Sequence, residues 1–218
     1  MWVIPSQAAN GSLVPHAPLR AAVPLRAASW KIRSRSLAFS TWPLLMGIVN
    51  VTPDSFSDGG QFLDPEAAVD HGLQLVADGA DILDVGGEST RPYAQSVAPD
   101  VEQRRILPVV RRLAQKIRCP ISIDTTKADV ARAGLDAGAE IINDISGLEN
   151  DPEMIPLAAA TGAGLCIMHM QGTPQNMQDN PVYAKVVDEV LEYLGQRRDV
   201  LLAHGIEHDR ICLDPGIG

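Results

Sequence analysis

Ile121-Ser-Ile-Asp-Thr-Thr-Lys-Ala-Asp-Val-Ala-Arg-Ala-Gly-Leu-Asp-Ala-Gly-Ala-Glu-Ile-Ile-Asn143 reads as one strand–helix–strand unit. The apolar run at 121–125 closes on Asp124, and the run at 140–145 closes on Asn143. Between them an amphipathic stretch stops at Gly138, where glycine accepts the left-handed conformation after a last helical turn. Outward from this unit the pattern recurs. Apolar runs at 44–51, 81–86, 164–170 and 210–213 close on Asn50, Asp84, the Met168-His169 pair and Asp214, making six in all. The runs are apolar on both sides of the alternation, as expected of strands covered on two faces. Strands that alternate with helices form a parallel sheet, and polar residues at their carboxyl ends usually line the site. The expectation is an α/β barrel with a polar mouth. It is also an unfinished one, because 218 residues fall short of the roughly 250 of an eight-stranded barrel.

Helix signals fill the gaps. Asp64-Pro65-Glu66 and Asp151-Pro152-Glu153 each place a capping carboxylate, a proline at the first helical position and an acid in the first turn. Asp100 with Gln103 resembles a capping box. Gly79, Gly138, Gly162 and Gly205 mark stops. In 180–205, Val186, Val187, Val190, Leu191 and Leu194 form one apolar stripe. Pro108 falls inside the helix expected at 100–118, where it should kink or split it.

Charge is unevenly placed. No Asp or Glu precedes Asp54, whereas Arg20, Arg26, Lys31, Arg33 and Arg35 do, so the net −9 becomes −14 once these five are set aside. So acidic a body argues against a nucleic-acid partner, while a small anionic substrate held by a local arginine fits. Residues 1–43, rich in Ala, Ser, Arg and Pro, read as a disordered or wrongly joined leader before a domain at 44–218. Their basic, acid-free composition also permits an organellar transit peptide. Cys119, Cys166 and Cys212 show no metal-ligand spacing, so they read as buried free thiols in a reducing, cytoplasmic setting. No stretch approaches the ~18 apolar residues of a membrane span, and no membrane partner is expected.

Met46-Gly-Ile-Val-Asn-Val-Thr-Pro-Asp-Ser-Phe-Ser-Asp-Gly-Gly60 holds the densest chemistry. Asn50 is an amide at a strand end, able to ligate a hard cation or to bond an anion. The loop at 52–60 is rich in hydroxyls and carboxylates, and on spacing alone it is equally well a turn whose side chains bond their own backbone. The segment nevertheless resembles the opening signature of the dihydropteroate synthase family. The resemblance continues through Gly79-Ala-Asp-Ile-Leu-Asp-Val-Gly-Gly-Glu-Ser-Thr-Arg-Pro92, Ile121-Ser-Ile-Asp-Thr-Thr-Lys127 and Ile141-Ile-Asn-Asp-Ile145. Met168-His-Met-Gln-Gly-Thr-Pro174 and Leu213-Asp-Pro-Gly-Ile-Gly218 complete it, all in family order.

The resemblance implies a (β/α)8 TIM barrel with six β/α strands present and the last two units missing. It implies an enzyme that condenses 6-hydroxymethyl-7,8-dihydropterin pyrophosphate with 4-aminobenzoate, helped by Mg2+, to give 7,8-dihydropteroate and pyrophosphate. Asp124, Asn143 and Asp214 are implied to bond the pterin, with Ile145 and Met168 against its ring. Thr90 and Arg91 are implied to act on the anion and on 4-aminobenzoate, Arg91, Thr90 and Asp124 are implied as the catalytic set, and Asn50 is implied as the metal residue. The full-length form is compatible with a homodimer. His169, turned the opposite way from Met168 by alternation, reads as structural, as does Asp84.

Family members continue past Asp-Pro-Gly-Ile-Gly into units carrying a Ser-Arg-Lys lysine and a final Arg and His. The expectation is therefore that residues 1–218 alone have little synthase activity. No clear counterpart of the family's barrel-bottom hairpin is legible, although 36–43 is a weak candidate. Two other readings are a methyltetrahydrofolate-binding methyltransferase domain and a non-catalytic pterin-binding remnant. The 52–60 and 89–92 loops speak against the first.

Overall fold

The computed structural model describes residues 27–52, 64–89, 96–172 and 181–217. Its core is a parallel sheet of β3 (Met46–Asn50), β4 (Ile82–Gly86), β5 (Ile121–Asp124), β6 (Ile141–Asp144), β7 (Gly164–Met168) and β8 (Ile211–Asp214), after a hairpin of β1 (Ser29–Lys31) and β2 (Ser36–Ala38). The helices are α1 (Pro65–Ala77), α2 (Pro99–Lys116), α3 (Ala128–Asp136), α4 (Met154–Thr161) and α5 (Val186–Ala203). Strand order in the sheet is strictly sequential, β3 to β8. That is the order of a singly wound β/α barrel, since a doubly wound sheet would reverse at a switch point. All six expected strands are present, each within two residues of its predicted limits. Asp84 lies in the middle of β4 rather than at its end.

The strands bury one face under the helices. Val49, Leu83, Val85, Ile123, Ile142, Leu165 and Ile167 pack there with Val69, Ile106, Val109, Leu113, Val130 and Leu135. Gly134 lets α3 press on β5, because a Cβ there would stand 2.5 Å from Ile123 Cγ1. Asp64 caps α1 as expected, its Oδ1 accepting from the Glu66 amide at 2.9 Å. The four expected glycine stops all take positive φ.

Several expectations are corrected. Of the kink or split expected at Pro108, the split does not occur, since α2 runs on as one helix to Lys116. The carbonyl four residues back belongs to exposed Arg104, where water can replace the missing bond. That helix starts one residue earlier than predicted, with Ala98 as its cap and Pro99 in its first turn rather than a capping box at Asp100. Asp151 begins a turn before α4, and its second oxygen accepts from Ala128 N at 2.8 Å, capping α3 across space. On α5 the predicted stripe is buried only at its end, Leu194. Leu194 and Leu201 are buried, whereas Val186, Val187 and Leu191 are exposed.

The leader is corrected too. Residues 1–26 lie outside the described residues, but 27–43 are part of the domain. Trp30 and Ile32 are buried against Ile82 and Ile141, near the amino-terminal ends of β4 and β6. The hairpin therefore plugs the bottom of the sheet's other face. Trp30 Nε1 donates to the Arg210 carbonyl at 2.9 Å, and Lys31 pairs with Glu207 at 2.6 Å. Arg35 pairs with Glu140. Burial would raise the Glu140 carboxyl, but Arg35 and Ser34 outweigh it and hold it below its usual range. The excess positive charge of the early chain is thus partly spent on acids of the body.

Candidate active site

Register brings the strand-end residues together. Pairing aligns Asn50 with Gly86, Gly86 with Asp124, Asp124 with Asn143, Asn143 with Cys166, and Cys166 with Cys212. Register partners in a parallel sheet share a face, and so do residues two apart along a strand. Asp84 and Ser122 therefore join this row from one layer nearer the hairpin, and the paired Met168 and Asp214 from one layer nearer the strand ends. Asn50, Asp84, Asp124, Asn143, Met168 and Asp214 all lie on the face away from the helices. Of the residues predicted from sequence, the structure thus unites Asn50, Asp124, Asn143, Met168 and Asp214. Ile145, half-buried, is the first residue past β6. Thr90 and Arg91 lie outside the described residues, as does most of the 52–60 loop.

The polar row is oriented from within. Asn143 Nδ2 donates to Asp84 Oδ2 at 2.9 Å, which fixes the amide plane and leaves its carbonyl oxygen for another partner. Asp84 is 3% exposed. Burial pushes its carboxyl above the ordinary carboxylate range, and the Asn143 amide opposes that. Asp124 stands beside Gly86, where a Cβ would meet Asp124 Oδ2 at 3.2 Å. Its carboxyl is pushed well up, first by burial and then by the charges of Asp84, Glu102, Asp144 and Glu88. Two carboxyls on one face, Asp84 buried and Asp124 half-buried, make an acceptor set suited to a ligand rich in N–H donors. Asp84, read from sequence as structural, is the group that orients Asn143. Its signal was parity with Gly86, which only the register with β5 makes legible.

Asp214 is set by its own turn. Its Oδ1 accepts from Gly216 N at 2.8 Å, and its carbonyl accepts from His169 N at 2.9 Å. Gly216 has φ +70°, and a Cβ there would collide with the His169 carbonyl oxygen while standing 3.3 Å from Met168 Cγ. Glycine is thus required both by conformation and by the closeness of the Met168-His169 backbone. His169 faces the other way, as expected, 5.1 Å edge-on to Tyr193 and 5.9 Å from Tyr183 between ring centroids. Cys119, Cys166 and Cys212 are free thiols, half-buried rather than fully buried.

For a divalent cation the described residues offer little by themselves. Among the described residues no cluster of three or more His, Cys, Asp or Glu could enclose one. Asn50 presents an exposed amide at the end of β3. A single hard oxygen suits Mg2+ that keeps most of its waters and is shared with substrate phosphates. Asn50 fits a metal of that kind, and no dedicated cage is formed among the described residues.

Residues 46–218 match the family described as pterin binding enzyme. The chain is 49% identical over 175 residues to dihydropteroate synthase of Mycobacterium leprae, covering 80% of this chain and 61% of that protein. It is 46% identical over 176 residues to dihydropteroate synthase of Escherichia coli, covering 81% and 62%. It spans about three fifths of the length of these curated relatives. Among solved structures, Xanthomonas albilineans dihydropteroate synthase with 4-aminobenzoic acid superposes with a TM-score of 0.80 at 44% identity, over 88% of this chain and 68% of that one. Burkholderia cenocepacia dihydropteroate synthase complexed with 7,8-dihydropteroate gives 0.76 at 42% identity, over 88% and 64%.

Proposed function

The chain belongs to the pterin-binding enzyme family, and on that premise we propose that it supplies the pterin-holding part of a dihydropteroate synthase. The reaction condenses 6-hydroxymethyl-7,8-dihydropterin pyrophosphate with 4-aminobenzoate to give 7,8-dihydropteroate and pyrophosphate. The observation that carries this reading is the single polar face shared by Asp84, Asp124, Asn143 and Asp214. A pterin edge presents ring N–H and amino donors, which carboxylates accept as a fork. Asp214 and Asp124 take those donors, and Asn143, held by Asp84, bonds the rest of the heterocycle. Met168 and Ile145 give the ring apolar contact.

Chemistry then needs positioning more than proton abstraction. The C–O bond to pyrophosphate breaks with the electron pair leaving on oxygen. The neutral aryl amine attacks the methylene carbon, and the new C–N bond sheds its proton to water. Arg91 and Thr90 would bond the leaving phosphate oxygens or the benzoate carboxylate, since a guanidinium meets either as a planar fork. Mg2+, when bound, supplies positive charge for the pyrophosphate, and Asn50 is the residue that would hold it. Catalysis on these terms is electrostatic and orientational. Substrates of this kind suit a cytoplasmic enzyme, with a homodimer as the assembly of the longer form.

Pyrophosphate release that depends on 4-aminobenzoate separates this activity from methyl transfer on the same pterin frame. Titration of the folded chain with 6-hydroxymethyl-7,8-dihydropterin tests the site directly. A chain with a cooperative melt that binds no pterin would sink the proposal.

A further inference from the structure

The turn that follows β6 has a support that the reading above leaves unused. It spans 145–148 and opens on Ile145. Asp144 pairs with Ile167, so Ile145 and Met168 are the next residues along two neighbouring strands. Leu148 has φ +63°, the one positive value at a non-glycine among the described residues. That conformation is strained for an L side chain and persists only where the surroundings hold it. The holder is α5. Tyr193 Oη donates to Glu149 Oε2 at 2.9 Å. Arg197 donates through Nε to the Gly147 carbonyl at 2.9 Å and through Nη1 to Glu149 Oε1 at 3.0 Å. The Tyr193 ring also stands edge-on to His169 at 5.1 Å, beside Met168 at the end of β7. A Cβ on Gly147 would meet the Tyr193 hydroxyl at 2.7 Å and lie 3.5 Å from the Met168 carbonyl oxygen. One side chain therefore touches the ends of both strands.

We propose that Tyr193 is a positioning residue that fixes Ile145 relative to Met168, the two residues that give the heterocycle its apolar contact. Arg197 braces the same turn. The pterin rests on the function proposed above, whereas the bridge between the strand ends does not. Apolar contact with a flat ring falls steeply with separation, since a gap of roughly 0.5–1 Å forfeits about a quarter to a half of the dispersion attraction. Stability alone is a poor reason for these bonds. The Glu149 side chain is 51% exposed, and ion pairs at such sites add little. What they define is where the turn sits. Gly147 serves the same end, because any larger residue would displace the Tyr193 hydroxyl.

The test uses the full chain. Tyr193→Phe keeps the ring against His169 and removes the hydroxyl, and Tyr193→Leu removes both. In the ligand-free protein, exchange of the Gly147 amide hydrogen, which donates to the Asp144 carbonyl, should accelerate ~5-fold in the first and ~10-fold in the second. Calorimetric affinity for 6-hydroxymethyl-7,8-dihydropterin should fall ~3-fold and ~10-fold respectively. Action through Ile145 has a signature that a merely structural role lacks. In an Ile145→Ala background the Tyr193→Leu loss should shrink to about twofold or less, whereas in an Asp124→Asn background it should keep its full size. Where Tyr193→Leu fails to melt cooperatively, Tyr193→Phe carries the same comparisons. A loss that stays additive with Ile145→Ala would overturn the positioning role. Unchanged Gly147 exchange in the folded variants would overturn the bridge. A wild-type chain that binds no pterin would instead count against the proposed function, and the Gly147 comparison would still decide the bridge.

Discussion

Among single residues, Asp84 changes meaning most between sequence and structure. In the sequence it is one apolar run's polar member, no different in kind from a structural acceptor. In the sheet it is the group that aims Asn143. Asp84→Ala should therefore weaken pterin binding about 10-fold by freeing that amide, and Asp124→Ala by about 10- to 100-fold as a charged hydrogen bond is lost. Calorimetric titration beside a thermal melt separates these losses from misfolding. Asp144 faces the opposite way, bonding Ser146 through N and Oγ, and burial raises its carboxyl to about 6. Its folded pKa thus lies above the unfolded 3.8. Between those values the unfolded chain gives up a proton that the folded chain keeps, so stability falls as pH rises through the window and levels off above it. The shift corresponds to about 3 kcal/mol. Urea unfolding from pH 4 to 7 should reveal that slope, and Asp144→Asn should reduce it, the raised carboxyls of Asp84 and Asp124 supplying the remainder.

At the scale of elements, the hairpin is the part that the sequence concealed. Three-residue strands in a stretch rich in Pro, Ala and Ser carry almost no periodic signal. What makes β1 and β2 structural is tertiary: Trp30 and Ile32 fill the lower end of a face whose upper end is polar. Trp30→Ala should cost about 3 kcal/mol, from lost burial and the lost bond to the Arg210 carbonyl, measured as a lower urea midpoint with unchanged slope. The long elements behaved differently. Repeated 3.6-residue periodicity, Asp64 as a cap and glycine stops made α1, α3 and the six strands legible, because each signal is local and strong. Pro108 is read by the same kind of local rule, yet α2 continues through it as one helix. The local rule is sound, but an exposed carbonyl in α2 lets water absorb its cost.

Taken whole, the molecule presents a six-stranded parallel sheet whose outer strands, β3 and β8, are not paired with each other among the described residues. Ile48 on β3 is 47% exposed, although it lies on the face that a barrel encloses. Edges of this kind attract other strands. The purified chain should show concentration-dependent association by sedimentation velocity, and Ile48→Lys, an inward-pointing charge on an edge strand, should reduce it. Sequence by itself determined the six strands of the parallel sheet, their order of appearance and the polar character of their ends, since periodicity and turn chemistry act within a dozen residues. Tertiary structure alone decided which of those polar residues meet. Asn143 finds Asp84 across the one intervening strand β5, Glu88 finds Lys127 across a helix, and the β1–β2 hairpin closes the base. Such pairings depend on register and on contacts between residues as many as 180 positions apart, which no local pattern encodes.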